Sequence, residues 1–134
     1  MKKLAIFFRN GSRPVPRAIR MMKTAEELGY KSIFCGALRN VSDTKESYLD
    51  GFQIIRVGKL YPLLNGEKVL TYIYYTIFFG VSLYKYFKKT KPSLLVASDF
   101  EVMIPAIIYS KIYNIRLIYN IHDNLAERYN LPLF

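Results

Sequence analysis

The chain has 134 residues, of which 51% are hydrophobic, so it can form one domain with a core of its own but not two full domains. A single cysteine and a single histidine exclude an internal disulfide and a metal cluster of nitrogen and sulfur ligands, and they favour a reducing compartment. The net charge of +10 predicts a negatively charged partner, which is a phosphate-bearing ligand, anionic lipid or nucleic acid.

The first element is an unbroken apolar run, Leu4 to Phe8, which indicates a central parallel strand. This run is shorter than the roughly seven to fifteen residues that the core of a signal peptide needs, so we expect a cytoplasmic protein. The polar segment from Arg9 to Pro14 cannot continue a strand or a helix, and it forms the first loop.

A helix follows, because Pro16 suits the first helical position and the apolar residues after it recur at helical spacing. Gly29 ends this helix, and Tyr30 to Cys35 forms a second strand. The mixed polar residues from Gly36 to Gly51 predict an exposed loop. Phe52 to Val57 predicts a third strand, whose alternating pattern leaves its burial open.

The segment from Val69 to Tyr84 contains no charged residue in sixteen positions. It is shorter than the ~18 to 20 apolar residues of a spanning helix and contains Gly80, so we expect it not to cross a membrane. Its tyrosines, and the lysines that follow from Lys85 to Lys91, are typical of a helix at the level of lipid headgroups. Two interpretations remain open, a crossover helix on the sheet or an interfacial helix, and one helix with two faces satisfies both.

The last third contains a strand, a helix and a second strand. Leu94 to Ser98 and Ile115 to Ile121 are both apolar runs of the kind that is buried on both faces of a parallel sheet. Asp99 can cap the helix between them, and Asn114 can take the left-handed conformation at its end. These three elements predict a second βαβ unit.

Together the elements predict an α/β protein, a Rossmann-like three-layer sandwich with a mostly parallel sheet, in a single domain over residues 1–134. Three polar loops, Arg9–Arg13, Ser98–Glu101 and His122–Asn124, follow predicted parallel strands. The carboxyl edge of such a sheet is where ligands bind. We therefore expect the three loops to converge on one site.

The first of these loops is a candidate phosphate-binding site, made of Asn10, Gly11, Ser12 and Arg13, with Arg17 on the helix that follows. The glycine lets backbone N–H groups approach a phosphate, while the helix dipole and the arginines neutralise its charge. An ordinary strand-to-helix turn with solvated arginines explains the same residues equally well. The loop lacks the further glycines of a dinucleotide fingerprint, so no nicotinamide cofactor is expected.

The lone His122 is the second candidate. It follows a predicted buried strand, with Asp123 beside it, so a ring nitrogen can reach a sugar hydroxyl or a phosphate oxygen. A structural histidine is the alternative. Asp99 is a further candidate ligand, and helix capping is its alternative role. A Ser-His-Asp hydrolase is not expected, because adjacent side chains such as those of His122 and Asp123 generally point apart.

The motifs also follow one another in an order that is known from a protein family. They are Asn10–Arg17, Glu27–Tyr30, Asp50–Val57, Lys91–Asp99, the apolar helix that contains Pro105, and Ile118–Asp123. In this order they resemble the amino-terminal lobe of glycosyltransferase family 4, which has the GT-B fold. The resemblance covers nearly the whole chain.

The resemblance implies an enzyme that moves a sugar from a nucleotide-sugar donor to an acceptor hydroxyl with retention of configuration, in a cleft between two Rossmann-like lobes. The amino-terminal lobe mostly holds the acceptor, which is lipid-linked or a polysaccharide in many members. By the same resemblance the Gly11 loop lies near the donor diphosphate and His122 near the transferred sugar. Arg13 and Arg17 contact donor phosphate or an acidic acceptor. No metal or cofactor is expected, since the nucleotide sugar is a substrate.

The carboxyl-terminal lobe of the family, with its two glutamates eight positions apart, has no counterpart in these 134 residues. We therefore expect an incomplete GT-B lobe that needs this second lobe or a partner subunit for transfer. The rival interpretation is a non-catalytic interaction module on the inner face of the cell membrane. Nucleic-acid binding through the basic residues from Arg9 to Lys23 is not expected, because no reader motif accompanies them.

Overall fold

The structure is a computed structural model that describes residues 3–60, 69–99 and 102–120. Within these ranges the strands are β1 (Lys3–Phe8), β2 (Tyr30–Ala37), β3 (Glu46–Leu49), β4 (Phe52–Val57), β5 (Leu94–Ala97) and β6 (Arg116–Tyr119). The helices are α1 (Pro16–Glu27), α2 (Val69–Thr90) and α3 (Met103–Tyr113). Each helix and strand predicted from the sequence is present, and β3 is an addition.

The strands form one sheet in the order β3-β4-β2-β1-β5-β6. Neighbouring strands are parallel throughout, apart from the antiparallel pair of β3 and β4. The strand β1 lies in the middle, with β2 on one side and β5 on the other. The prediction of a mostly parallel sheet is therefore confirmed.

Helices cover both faces of this sheet. Met22 and Ala25 of α1 pack on one face. Leu83 and Phe87 of α2, with Ala106 of α3, pack on the other. Successive residues of β1 and β5 alternate between the two layers, as the pleat of a strand requires. The α/β class and the three-layer, Rossmann-like architecture are thus confirmed.

The helix ends follow the predicted local rules. Pro16 is the first residue of α1, and Gly29 follows this helix with a φ of 93°. Asn114 ends α3 in the left-handed conformation, with φ 52° and ψ 52°. In each case a residue with a special backbone preference stops or starts the helix where the sequence predicts it.

The prediction of one exposed loop from Gly36 to Gly51 is wrong in its details. The strand β2 continues to Ala37, and Glu46–Leu49 pairs with β4 so that Ser47 lies opposite Ile54. The strand β3 is a short edge strand with exposed, mostly polar residues. Such a strand has no apolar pattern from which it could be detected.

The prediction that the last strand is buried on both faces is also wrong. The strand β6 pairs with β5, and no other described strand lies beside it. Leu117 packs against the core, but Ile118 and Tyr119 are 41% and 36% exposed. The apolar run identified a strand, whereas its position at the edge of the described sheet determines its exposure.

The long helix α2 has two different faces. Phe79, Leu83 and Phe87 are buried against the sheet, which confirms the crossover interpretation for this side. Ile77 and Val81 point away from the core and are 63% and 51% exposed. Neither α2 nor any other helix among the described residues is both long and apolar enough to cross a membrane.

A substitution of Leu83 tests the packing of α2. The Leu83 side chain is fully buried, so Leu83→Ala should lower the free energy of unfolding by about 2–5 kcal/mol through lost transfer energy and a cavity. Leu28→Ala is the matched control, because Leu28 is 73% exposed and should change the stability by less than about 0.5 kcal/mol. Urea unfolding followed by circular dichroism measures both. Equal losses would contradict the burial of α2.

Candidate functional site

The strand order creates a crevice at the carboxyl ends of β1 and β5. The chain passes from β1 to β2 and β4 on one side, then returns to the other side of β1 for β5 and β6. The helix after β1 packs in one layer, and the helix after β5 packs in the other. In open α/β sheets such a switch point is where ligands bind.

Two of the three predicted loops meet in this crevice, through Asp99. Its Oδ2 atom accepts a hydrogen bond from the backbone N–H of Asn10 at 2.9 Å and lies 3.5 Å from Nε of Arg9. The prediction that Asp99 caps α3 is wrong, since no side chain caps the first turn of this helix among the described residues. The carboxylate instead joins the loop after β1 to the loop after β5.

The first loop is also fastened to β2 and β4. The carbonyl of Gly11 accepts a hydrogen bond from the N–H of Ala37 at 2.9 Å, and the carbonyl of Ser12 accepts one from Nε of Arg56 at 2.8 Å. A Cβ on Gly36 would lie 2.4 Å from the carbonyl oxygen of Gly11, so only glycine permits this approach. The loop backbone therefore lies directly over the carboxyl ends of its neighbouring strands.

The sequence pattern did not predict the role of Arg56. Its side chain is 6% exposed, and Nη1 donates hydrogen bonds to the carbonyl of Thr44 at 2.8 Å and to the hydroxyl of Ser47 at 3.1 Å. With its bond to Ser12, this arginine ties the first loop to β3 and the residues before it. A charged residue within an apolar strand was the signal available in the sequence.

The loop after β2 reaches the same edge. Nη2 of Arg39 donates a hydrogen bond to the side-chain oxygen of Asn10. The N–H groups of Arg39 and Asn40 donate to the carboxylate of Asp43 at 3.1 and 2.8 Å. Partial burial opposes the ionisation of Asp43, but these hydrogen bonds and the charge of Arg56 outweigh it, so the pKa of Asp43 lies below its usual value. A charged carboxylate thus holds this turn at neutral pH.

The arginines of the first loop have different roles. Arg9 donates from Nη1 to the carbonyl of Arg13 at 3.1 Å and pairs with Asp99, so it belongs to the framework of the crevice. The guanidinium of Arg13 is exposed and has no hydrogen-bonding or ionic partner in the described part of the chain. Arg17 is exposed in the first turn of α1. Arg13 is therefore the cation that this loop offers to an anionic ligand.

The backbone of the same loop presents its donors outward. The carbonyl groups of Gly11 and Ser12 point toward β2 and β4, and a trans peptide directs its N–H opposite to its carbonyl. The N–H groups of Ser12 and Arg13 consequently point away from the sheet, and neither has an acceptor among the described residues. Two outward N–H groups beside an exposed guanidinium form a cradle of positive potential.

The predicted site residues His122 and Asp123 lie outside the described residues. The strand β6 leads toward them, since the N–H of Asn120 still donates to the carbonyl of Ala97 at 2.8 Å. The described chain thus runs beside the end of β5 until two residues before His122. The convergence of His122 with the other two loops stays a prediction.

Few other side chains among the described residues near this edge could react or bind a ligand. Ser98 follows β5, is 3% exposed, and its hydroxyl has no hydrogen-bond partner among the described residues. Burial raises the pKa of the Cys35 thiol far above its usual value, so this cysteine is not a nucleophile. Within residues 3–60, 69–99 and 102–120 there is no group of three or more side chains that could hold a metal ion.

The chain is similar in fold to two structures of sucrose-phosphate synthase from Thermosynechococcus elongatus. The first aligns with a TM-score of 0.62 and 12% identity over 95% of this chain and 68% of that one. The second aligns with a TM-score of 0.68 and 10% identity over 98% of this chain, which spans only 36% of that structure. No protein-family model and no curated protein matches the sequence. The chain therefore shares the glycosyltransferase-like fold of one part of these structures.

The close approach of the first loop to β2 can be tested with two glycine substitutions. Gly36→Ala should lower the free energy of unfolding by about 1–3 kcal/mol, because the new methyl group would overlap the carbonyl oxygen of Gly11. In Gly11→Ala the nearest atoms to the methyl group would be those of the Arg9 guanidinium, at 3.1 Å or more, and a side chain can shift by a few tenths of an ångström more easily than a backbone carbonyl. This control should cost under about 1 kcal/mol. Urea unfolding measures both changes, and the reverse order of losses would disprove the contact.

Proposed function

We propose that this chain is the acceptor-binding portion of a retaining glycosyltransferase of the family 4 type. It acts with a carboxyl-terminal donor-binding lobe to transfer a sugar from a nucleotide sugar to a lipid-linked or polysaccharide acceptor. The observation that carries the proposal is the crevice between β1 and β5 in a glycosyltransferase-like fold. In this chain the crevice is bordered by an arginine-rich loop with outward N–H groups.

The first loop binds the donor diphosphate in this proposal. The guanidinium of Arg13 and the N–H groups of Ser12 and Arg13 supply charge and hydrogen bonds to phosphate oxygens, and the amino terminus of α1 adds its dipole. Arg17 extends the same positive surface. Because Asp99 and Arg56 already hold the loop backbone, these donors need no reorganisation as charge develops on the departing diphosphate.

The acceptor and the transferred sugar lie on the other side of the crevice. The second carboxylate oxygen of Asp99, Oδ1, has no partner among the described residues and accepts a hydrogen bond from an acceptor hydroxyl. We assign to His122 the contact with the transferred sugar, which it orients for attack, with Asp123 beside it. Asn10 borders both parts of the site through its bond to Asp99.

Sugar transfer by the chain together with a donor-binding lobe tests this function. With radiolabelled UDP, GDP and dTDP sugars and a lipid extract as acceptor, His122→Ala should lower kcat about a hundredfold, because the sugar loses its orienting contact. Lys31→Ala, on an exposed position of β2, should leave the rate unchanged. Normal transfer by His122→Ala would remove this residue from the mechanism.

The role of Arg13 has a separate kinetic signature. Arg13→Gln should raise the KM for the nucleotide sugar about tenfold, since one charge-assisted contact to phosphate is lost. Arg20→Gln removes a charge that is also exposed, about one turn into α1, and serves as the control. Equal KM values for the two variants would place the diphosphate elsewhere.

A second candidate function, from a different class, is a non-catalytic subunit that brings a partner to the membrane. The exposed apolar residues of α2 and α3 favour it. The transfer experiment separates the two functions. If no nucleotide sugar is used when the second lobe is present, the non-catalytic function is the one that remains.

A further inference from the structure

The helices α2 and α3 leave an apolar surface uncovered on their side of the molecule. We call this surface the α2–α3 face. Its most exposed members are Ile77 and Ile104, at 63% and 67%. The others are Ile73, Tyr74, Val81, Ile107, Ile108 and Ile112. A groove of about 410 Å³ between the helices is lined by Ile77, Val81, Ile104 and Ile108 among others. An apolar surface that continues across two elements marks an interaction site.

The charged residues of α2 and α3 themselves have one sign. Neither α2 nor α3 contains an aspartate or glutamate, and lysines occupy the ends of both helices. Lys88 continues the stripe of Ile77, Val81 and Tyr84, because their spacings of four, three and four residues follow the helical repeat. Lys111 ends α3 in the same way. Such lysines can lay their methylene groups on apolar surface while the ammonium groups meet anions.

The apolar part of this face lies near the candidate site. A Cβ on Gly80 would lie 3.6 Å from Cγ of Pro105, the rings of Tyr84 and Tyr109 are 5.7 Å apart, and the hydroxyl of Tyr109 donates to the carbonyl of Phe87 at 3.0 Å. These contacts follow the same order along both helices, so the helices run in the same direction. Since α3 follows β5, both helices begin at the carboxyl edge of the sheet.

The amino-terminal half of α2 projects beyond that edge. Pro105 lies opposite Gly80, and α3 begins only two residues before Pro105. The helix α2, by contrast, begins at Val69, eleven residues before Gly80. With a rise of 1.5 Å per residue, α2 extends roughly 13 Å further than α3 on the side of the candidate site. Ile73 and Ile77, both exposed, lie on this projecting half. The lysines lie at the other end.

We propose that the α2–α3 face docks this protein on an anionic lipid bilayer. Ile77 and Ile104 enter the boundary between headgroups and acyl chains, while Lys88 and Lys111 bind anionic headgroups. The carboxyl edge of the sheet then lies beside the headgroup layer. This last step rests on the proposed function and deepens it, because it selects a lipid-linked acceptor over a free polysaccharide.

Charge decides between a bilayer and a second copy of the chain as the occupant of this face. The whole chain carries a net charge of +10, and a second copy would bring an equal positive charge beside it. Self-association is therefore opposed by repulsion. An anionic bilayer complements the lysines and covers the isoleucines at the same time.

Vesicle binding tests the proposal without any nucleotide sugar. The chain should sediment with vesicles of 30% phosphatidylglycerol in phosphatidylcholine and only weakly with pure phosphatidylcholine. Ile77→Ser with Ile104→Ser should lower the partition coefficient at least about tenfold through lost apolar burial. Lys88→Gln with Lys111→Gln should lower it by about fivefold per lysine, on anionic vesicles only.

Matched controls exist on other surfaces. Leu28→Ser with Val41→Ser changes apolar residues that are 73% and 85% exposed, and Lys23→Gln with Lys31→Gln removes two exposed charges. The apolar control pair should retain at least half of the binding of the unsubstituted chain. The charged control pair should lose less binding than the Lys88 and Lys111 pair. All substituted positions are exposed, so thermal unfolding should change little.

Insertion can be read directly, because the chain contains no tryptophan. The emission of Ile77→Trp should shift to the blue and be quenched by brominated lipids, while Leu28→Trp should show neither effect.

Equal quenching at the two positions, or equal loss of binding by face and control variants, would overturn the proposal. A concentration-dependent dimer that the Ile77 and Ile104 variants dissociate, without vesicle binding, would make a second copy the occupant. Absence of vesicle binding alongside intact transfer to a water-soluble acceptor would refute the docking surface and leave the proposed function standing.

Discussion

The hydrogen bond from the backbone of Asn10 to the carboxylate of Asp99 holds together the two loops on which the candidate site depends. These residues are 89 positions apart and meet only because β1 and β5 are adjacent at the switch point of the sheet. The same carboxylate lies beside Arg9, so one negative charge fixes the first cation of the loop. Arg13 keeps its charge available in consequence. One contact thus determines that Arg9 has a structural role, whereas the charge of Arg13 can meet a ligand.

The orientation of the loop backbone depends on a second constraint, the close packing over Gly36. The carbonyls of Gly11 and Ser12 are drawn toward β2 and β4 by Ala37 and Arg56. Because each peptide is planar and trans, the N–H groups that follow must face away from the sheet. A loop with one glycine can in this way present donors to an anion, although it lacks the glycines of a dinucleotide-binding turn. The tertiary contacts supply the geometry that further glycines supply elsewhere.

The helix α2 connects the core with the outer surface of the molecule. Its inner residues, such as Phe87, contact Phe8 at the end of β1, with ring centroids 5.0 Å apart. The exposed residues between Ile73 and Tyr84 are apolar or aromatic, although a surface helix usually presents polar groups to solvent. The bilayer proposal explains the apolar character of both sides of this helix, since one side packs on the sheet and the other would contact lipid. The bilayer proposal accounts for the lysines at its end as well.

The sequence by itself determined the local structure. Apolar runs identified β1 and β5, helical spacing identified α1, and Asn114 marked the end of α3, because each pattern reports how its own segment divides between water and a protein interior. The α/β class and the mostly parallel sheet followed from the order of these segments.

Only the tertiary structure decided the partners of the polar residues. In the tertiary structure Asp99 bonds to the first loop and does not cap α3, and Arg56 is buried among backbone carbonyls. The strand β6 lies exposed at the edge of the described sheet. The polar edge strand β3 became a strand through its hydrogen bonds to β4. A local pattern contains no information about which distant group will satisfy a charge or a backbone donor, since that choice is made when remote segments pack together.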